Sequence, residues 1–401
     1  MANGLSKIRM GNLRELMFAH VESGAIPGLI TVVSRHQDTF VDAIGVKTIG
    51  SRDSMRRDTI FRITSMTKPI TAVAAMILAE ECKIRLDEPA DRLLPELANR
   101  RVLRTIASEL NDTLPAKRRI TVRDLLTFQM GFGVLLVPPD TYPIQRAVSE
   151  LGIGTLGPPT PAIALTPDEW MKRLGSLPLM HQPGEAWMYN TGAAVLGVLI
   201  ARASGMPFET FLKERIFDPL GMKDTTFSVT RSSLNRLATQ YRMDPETNEL
   251  AVFDPIEGSQ WAAPPVFPDG GAGLLSTADD YLAFAQMMLN KGKVGNSRIL
   301  SKLSVEAMIN NQIPREQQPN ASLFLGDSSG WGMGVSVVTK RDGIASVPGR
   351  FGWDGGYGTS WFTDPHEQTL GILLTQRMWS SPMPPEVRQD FYTSAYLAIE
   401  H

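Results

Sequence analysis

An α+β architecture is predicted for this chain: an antiparallel sheet assembled from both chain ends, flanked by helices, with an all-helical lobe inserted between them. Two features carry the prediction. Runs rich in β-branched and aromatic residues occur at 29–33 and 39–46, and again at 334–339, 344–347, 359–363 and 370–375. Between about 85 and 320 the apolar spacing is mostly helical. Joining two terminal strand groups into one sheet is the simplest way to bury both. The expected lobes are therefore 1–88 with 322–401, and 89–321.

The elements follow in order. Residues 10–23 place Leu13, Leu16, Met17 and His20 on one helical face, and the strand pair 29–33 and 39–46 comes next. A long helix is predicted at about 65–82, where Ile70, Val73, Ala74, Ile77 and Leu78 recur at helical spacing. Further helices are expected at 121–128, 168–175, 191–204, 207–216 and 278–290, and a last one at 385–399. The proline-rich stretch 131–168 is weakly periodic, and loops of that length often cover a site.

The chain has 401 residues, 43% hydrophobic and 20% charged, with a formal net charge of −2. That balance offers no global field for nucleic acid or an anionic membrane surface. The basic segments 99–104 and 117–119 read as solvated surface. One cysteine, Cys82, excludes an internal disulfide framework and reads as a small structural thiol. No apolar run reaches transmembrane length, and the N-terminal segment lacks a continuous apolar core, so a cytoplasmic protein is expected. The five histidines are scattered without metal-ligand spacing, and no phosphate-binding glycine loop follows a strand. No cofactor or metal is expected, and oligomeric state is not readable.

The segment FRITSMTKPITAVAAMILAE puts Ser65 and Lys68 three residues apart at a helix start, hence on one face. There the unpaired N–H groups and the helix dipole favour developing negative charge on Ser65. A serine needs a base, and a lysine becomes one at neutral pH only if its pKa falls from about 10.4 to roughly 7. Burial acts in that direction. The same spacing also describes a capping serine followed by a surface lysine, so the pair needs partners.

Those partners lie in HQPGEAWMYNTGAAVLGVLIARASGMPFETFLKERIFDPLGMKDTTF (181–227) and GRFGWDGGYGTSWFTDP (349–365). With SMTK, ITVRDLLTFQMGF (120–132) and GGAGLLSTADDYLAF (270–284), they resemble the serine β-lactamase and penicillin-binding protein superfamily. The closest resemblance is to its class C-like branch of family VIII carboxylesterases. It spans nearly the whole chain and implies a β-lactamase-like fold with the site between two lobes. It also implies Ser65 as acylated nucleophile, Lys68 as its proton partner and Tyr189 as the motif tyrosine. A neighbouring Lys68 ammonium would help form a tyrosinate; whether Lys68 or Tyr189 is the base stays open. Backbone amides of Ser65 and Gly356 are the implied oxyanion hole, and Trp353, Asp354, Gly355, Phe132, Gln129 and Thr191 are implied substrate contacts.

Two departures shape the expected substrate. Thr191 stands where the lactamases carry Asn, and Trp353-Asp354-Gly355 stands where they carry K-T-G. A tryptophan gives an apolar face and one N–H in place of a cation. That favours a small neutral ester, of short or medium acyl chain, over a lactam. Amide hydrolysis, acyl transfer, and a non-catalytic penicillin-recognising protein on the same fold are the alternatives. The apolar stretch Phe132, Val134, Leu135, Leu136 and Val137 reads equally as a substrate pocket or a packed loop. One competing motif is Gly326-Asp327-Ser328-Ser329-Gly330, a match to G-x-S-x-G. A nucleophile elbow needs a helix immediately after its serine. GWGMGVSVV follows instead, which reads as a strand, so Ser328 is expected to be a decoy and Ser65 the nucleophile.

Overall fold

The computed structural model describes residues 4–36, 38–154 and 159–400. Helix α1 (Lys7–Glu22) precedes the hairpin strands β1 (Gly28–Arg35) and β2 (Asp38–Gly45). A single 3₁₀ turn, Thr64–Met66, leads into α2 (Thr67–Glu80). The middle of the chain is mainly helical and includes α3 (Thr191–Ser204) and α4 (Ala278–Leu289). Strands β3 (Ser329–Trp331), β4 (Ser336–Val338), β5 (Phe351–Gly355), β6 (Thr359–Asp364) and β7 (Thr369–Thr375) follow, then α5 (Glu386–Leu397).

One seven-stranded sheet runs β3-β4-β5-β6-β7-β1-β2. Every neighbouring pair is antiparallel, and β7 meets β1 with Ile372 opposite Val32. All residues of β1 are buried, because both faces are covered. Leu29 and Val33 pack with Leu13, Met17 and Phe391 of α1 and α5. Ile30 and Val32 turn the other way, the period-two alternation of a strand, into the large cluster holding Ile70, Phe284 and Trp361. That cluster continues without a break to Trp170 and Phe211 in the helical segment, so sheet and helices share one core.

Some boundaries differ from the sequence expectation. Residues 344–347 form no strand; β4 and β5 already pair, Ile344 is exposed, and only Val347 is buried. The stretch 131–168 contains a helix, Pro143–Glu150. The helix expected over 207–216 passes from Phe208–Leu212 into a π-helical turn, Lys213–Phe217. Leu16 of α1 and Cys82 after α2 both face solvent. Among the described residues no single helix is long and apolar enough to cross a membrane.

Two contacts set the cleft between β5 and the start of α2. Strand β4 pairs only with Phe351 and Gly352, so Trp353–Gly355 lie along an edge that β4 does not cover. On the inner side, β5 is pressed against the turn before α2. A Cβ built on Gly355 would lie 2.3 Å from the Ile63 carbonyl oxygen and 2.2 Å from Thr359 Oγ1. At Gly356 the same Cβ meets nothing within 4 Å. Gly355→Ala is therefore expected to destabilise the protein by about 1–3 kcal/mol, the usual range for overpacking, and Gly356→Ala to leave stability near wild type. Urea unfolding of the two variants checks this; equal midpoints would refute the close approach.

Candidate active site

Thr64 has φ 41°, unusual for a β-branched residue, and it turns the chain so that Ser65 lies in the 3₁₀ turn just ahead of α2. Ser65 is half-buried, whereas Thr64, Met66, Thr67 and Lys68 are almost wholly buried. Lys68 Nζ lies 2.9 Å from Ser65 Oγ and 2.7 Å from the Gly271 carbonyl oxygen. It also sits 4.6 Å above the centre of the Tyr189 ring, where the π face attracts a cation. Loss of water pulls the Lys68 pKa down to about 7, against an upward pull from the Asp269 carboxylate.

Tyr189 precedes α3. Asn190 has φ 84° and ψ −58°, and Thr191 N–H donates back to the Tyr189 carbonyl at 3.2 Å. This is a γ-turn with positive φ, a rare and strained form, and it carries Tyr189 into the cleft just ahead of the helix. The ring packs edge-on to Phe128 at 5.6 Å and lies 4.5 Å from Phe324 and 5.7 Å from Trp353. Its hydroxyl accepts from Trp353 Nε1 at 2.9 Å. Burial raises the phenol pKa, with hydrogen bonds to Ser65 and Trp353 opposing. Of the two bases the sequence left open, the raised phenol pKa disfavours a tyrosinate at Tyr189, because dehydration penalises the phenolate more than these hydrogen bonds favour it.

The structure brings Ser65, Lys68, Tyr189 and Trp353 together and leaves others outside. Trp353 is at the site and donates its indole N–H to the Tyr189 hydroxyl. Asp354, next along the strand, points to the opposite face of the sheet. There it pairs with Arg388 of α5 at 3.1 Å and accepts from Ser360 Oγ, away from the side of the strand that faces Tyr189. Gln129 joins loops: its side-chain amide donates to Thr127 Oγ1 and to the Gln312 carbonyl, each at 3.2 Å. Phe132 is 3% exposed in the main core. Thr191 opens α3 in a half-buried position. Among the described residues, neither the Ser65 N–H nor the Gly356 N–H donates to a protein acceptor. Ser328 is buried ahead of β3, hydrogen-bonded to Asp342, and a strand follows it as expected.

Sequence reasoning used the 270–284 stretch for the resemblance but gave no role to the 269–273 turn that faces Lys68, and it missed the aromatic wall of Phe128, Trp187, Phe324 and Trp331 around Tyr189. The DGGAG run was the available signal for the first, since paired glycines mark close backbone approach.

The buried lysine has a thermodynamic signature. Its folded pKa lies below the unfolded value of about 10.4, so above pH 10.4 it contributes no pH dependence. As pH falls toward 7 the unfolded chain takes the proton first, and about 4–5 kcal/mol of stability is lost. Below 7 the dependence is flat. Lys68→Met removes this slope. Its stability relative to wild type is expected to improve by that order between pH 10.5 and pH 7 in urea unfolding; a constant difference would contradict a dry lysine.

Comparison with known proteins places this geometry. Residues 13–390 match the Beta-lactamase family. Protein Rv1367c of Mycobacterium tuberculosis is 37% identical over 369 residues, covering 88% of this chain and 87% of that protein. The esterase EstB of Burkholderia gladioli is 29% identical over 388 residues, covering 91% and 90%. Among solved structures, EstCE1, a hydrolase with promiscuous acyltransferase activity, matches with a TM-score of 0.78 at 24% identity over 97% of this chain and 98% of its own, a likeness of fold. The chain belongs to the Beta-lactamase family, as a serine hydrolase of β-lactamase-like fold on the branch that includes esterases.

Proposed function

We propose that the protein is a serine carboxylesterase that turns over small neutral esters through an acyl-enzyme on Ser65. The observation that carries this reading is a lysine amine, dehydrated and near neutrality, 2.9 Å from a half-exposed serine hydroxyl. In its neutral form Lys68 donates to the Gly271 carbonyl, which leaves its lone pair for the Ser65 proton. Ser65 Oγ attacks the ester carbonyl as Lys68 takes that proton. The Ser65 and Gly356 amides receive the oxyanion, each worth roughly 3–4 kcal/mol in the transition state.

The carbonyl re-forms and the alkoxide departs, protonated by Lys68 through the Tyr189 hydroxyl. Water then repeats the sequence on the acyl-enzyme: Lys68 takes its proton, and Ser65 Oγ leaves with that proton as the carboxylic acid forms. Tyr189 serves as a neutral phenol throughout, which accords with its raised pKa. An alcohol in place of water would give acyl transfer with the same atoms.

The acyl wall is read from the segment after Gly131. Val134 N–H donates to the Tyr189 carbonyl at 2.9 Å, and a Cβ on Gly133 would lie 2.7 Å from the same oxygen. Leu135 of this segment packs on the main core and Leu136 is exposed, and we take the segment as the acyl wall for a short or medium chain.

With p-nitrophenyl acetate, a burst of one acyl group per chain is expected. Ser65→Ala should abolish hydrolysis and Ser328→Ala leave it near wild type; the reverse pattern would overturn the assignment. Because the strand position facing Tyr189 is an indole and no cation, kcat/KM for short esters should exceed that for penicillins by about 100-fold or more, the scale of one lost charged hydrogen bond. Comparable values would argue for a lactam substrate.

A further inference from the structure

We infer that Asp269 is a positioning residue of this site: folded over the Gly271 amide, its carboxylate holds the Gly271 carbonyl on Lys68 and governs how readily the amine is freed of its proton. The inference rests on the proposed role of Lys68 as base. Asp269 Oδ1 accepts from Gly271 N–H at 2.7 Å, and the Asp269 carbonyl accepts from Gly273 N–H at 2.9 Å. The turn is stitched to α2 by three side chains. Thr71 Oγ1 donates to the Gly270 carbonyl at 2.7 Å, Leu274 N–H donates to Thr67 Oγ1 at 3.1 Å, and Lys68 donates to Gly271.

The glycines make the approach possible. A Cβ on Gly270 would lie 2.6 Å from the Ala193 carbonyl oxygen, and one on Gly271 would lie 3.1 Å from Asp269 Oδ1 and 3.2 Å from Asn190 Oδ1. The Asp269 carboxylate, the Asn190 amide and the Gly271 backbone thus converge on the floor beneath Lys68.

The groups facing the amine are few. From its own element it meets the Ser65 hydroxyl, and from the start of α3 the neutral Tyr189 ring. From the 269–273 turn it meets the Gly271 carbonyl and feels the Asp269 carboxylate, whose own pKa burial raises against the Gly271 N–H and the Lys68 charge. Asp354 acts on Tyr189 from the other face of the sheet, but Arg388 pairs with it. Asp269 is accordingly the carboxylate that opposes dehydration of Lys68. A base stripped of too much proton affinity cannot take a proton from an alcohol, so an opposing charge keeps the lysine useful near neutral pH.

The test is Asp269→Asn, which keeps an oxygen for the Gly271 N–H and removes the charge. In protein labelled with ¹³C at lysine Cε, the Lys68 resonance is identified by its loss in Lys68→Met and titrated by NMR. The wild-type midpoint, about 7, is expected to fall by about one unit in Asp269→Asn, the low end for loss of an opposite charge. It should hold in Asp269→Glu and in Glu306→Gln, whose exposed carboxylate pairs with Lys291. An unchanged or raised midpoint in Asp269→Asn overturns the inference. The acid limb of kcat/KM for ester hydrolysis should move with the NMR midpoint. A midpoint that moves while the limb stays would sustain the role of Asp269 in tuning Lys68 and count against Lys68 as base.

Discussion

The cleft depends on keeping one amine out of water. Lys68 Nζ has a carbonyl, a hydroxyl and an aromatic face around it in place of a hydration shell. An ammonium there is several kcal/mol less favourable than on the surface. That deficit is tolerable because α2 is buried from Thr67 to Leu78, wedged between the sheet and the helical segment. The helix that carries Lys68 is also the centre of the shared core, so the penalty falls on the element whose packing best offsets it.

Local backbone cost follows the same pattern. Thr64 at positive φ and Asn190 in a strained γ-turn stand next to Ser65 and Tyr189. Thr64 Oγ1 is buried without a hydrogen-bond partner. Such conformations cost of order 1–3 kcal/mol each and persist only where surroundings over-determine them. Here the surroundings are glycine contacts: Gly355 lets β5 rest on the turn at Ile63, and Gly133 lets the covering segment rest on the Tyr189 carbonyl.

What was legible in the sequence was periodic or contiguous. The strands at both ends followed from β-branched runs, and Ser65 with Lys68 followed from one helical turn of spacing. Tyr189 needed the long run around it, because an aromatic before a helix has no distinctive spacing. Trp353 was located by its motif, but the fate of its indole N–H depends on Tyr189, 164 residues away. Asp354 lies on the far face because adjacent strand residues face opposite sides, an alternation that motif alignment ignores. The directions of Gln129 and Phe132 were not legible for a related reason: proximity in a motif does not give side-chain direction. The 344–347 run looked like a strand because period two reports a pattern and not a partner. Gly326–Gly330 matched a nucleophile signature and failed on the strand that follows it.

Burial shifts Lys68 and Tyr189 in opposite directions, and both shifts favour the uncharged form. Burial drives the lysine toward neutral amine and the tyrosine toward neutral phenol. An ammonium–tyrosinate pair would place two charges where the surroundings solvate neither well. Above pH 7 a neutral amine beside a neutral phenol avoids that cost. On the proposed mechanism, attack on the ester creates an ammonium and an oxyanion in the same step, a few ångströms apart and sheltered from water. Their attraction is then strongest in the transition state and absent before it, which is the condition for an interaction to lower a barrier without tightening the ground state. The aromatic wall around Tyr189 supports this by excluding water that would screen the pair, and Trp353 completes it by fixing the phenol with the one polar atom that its ring can spare.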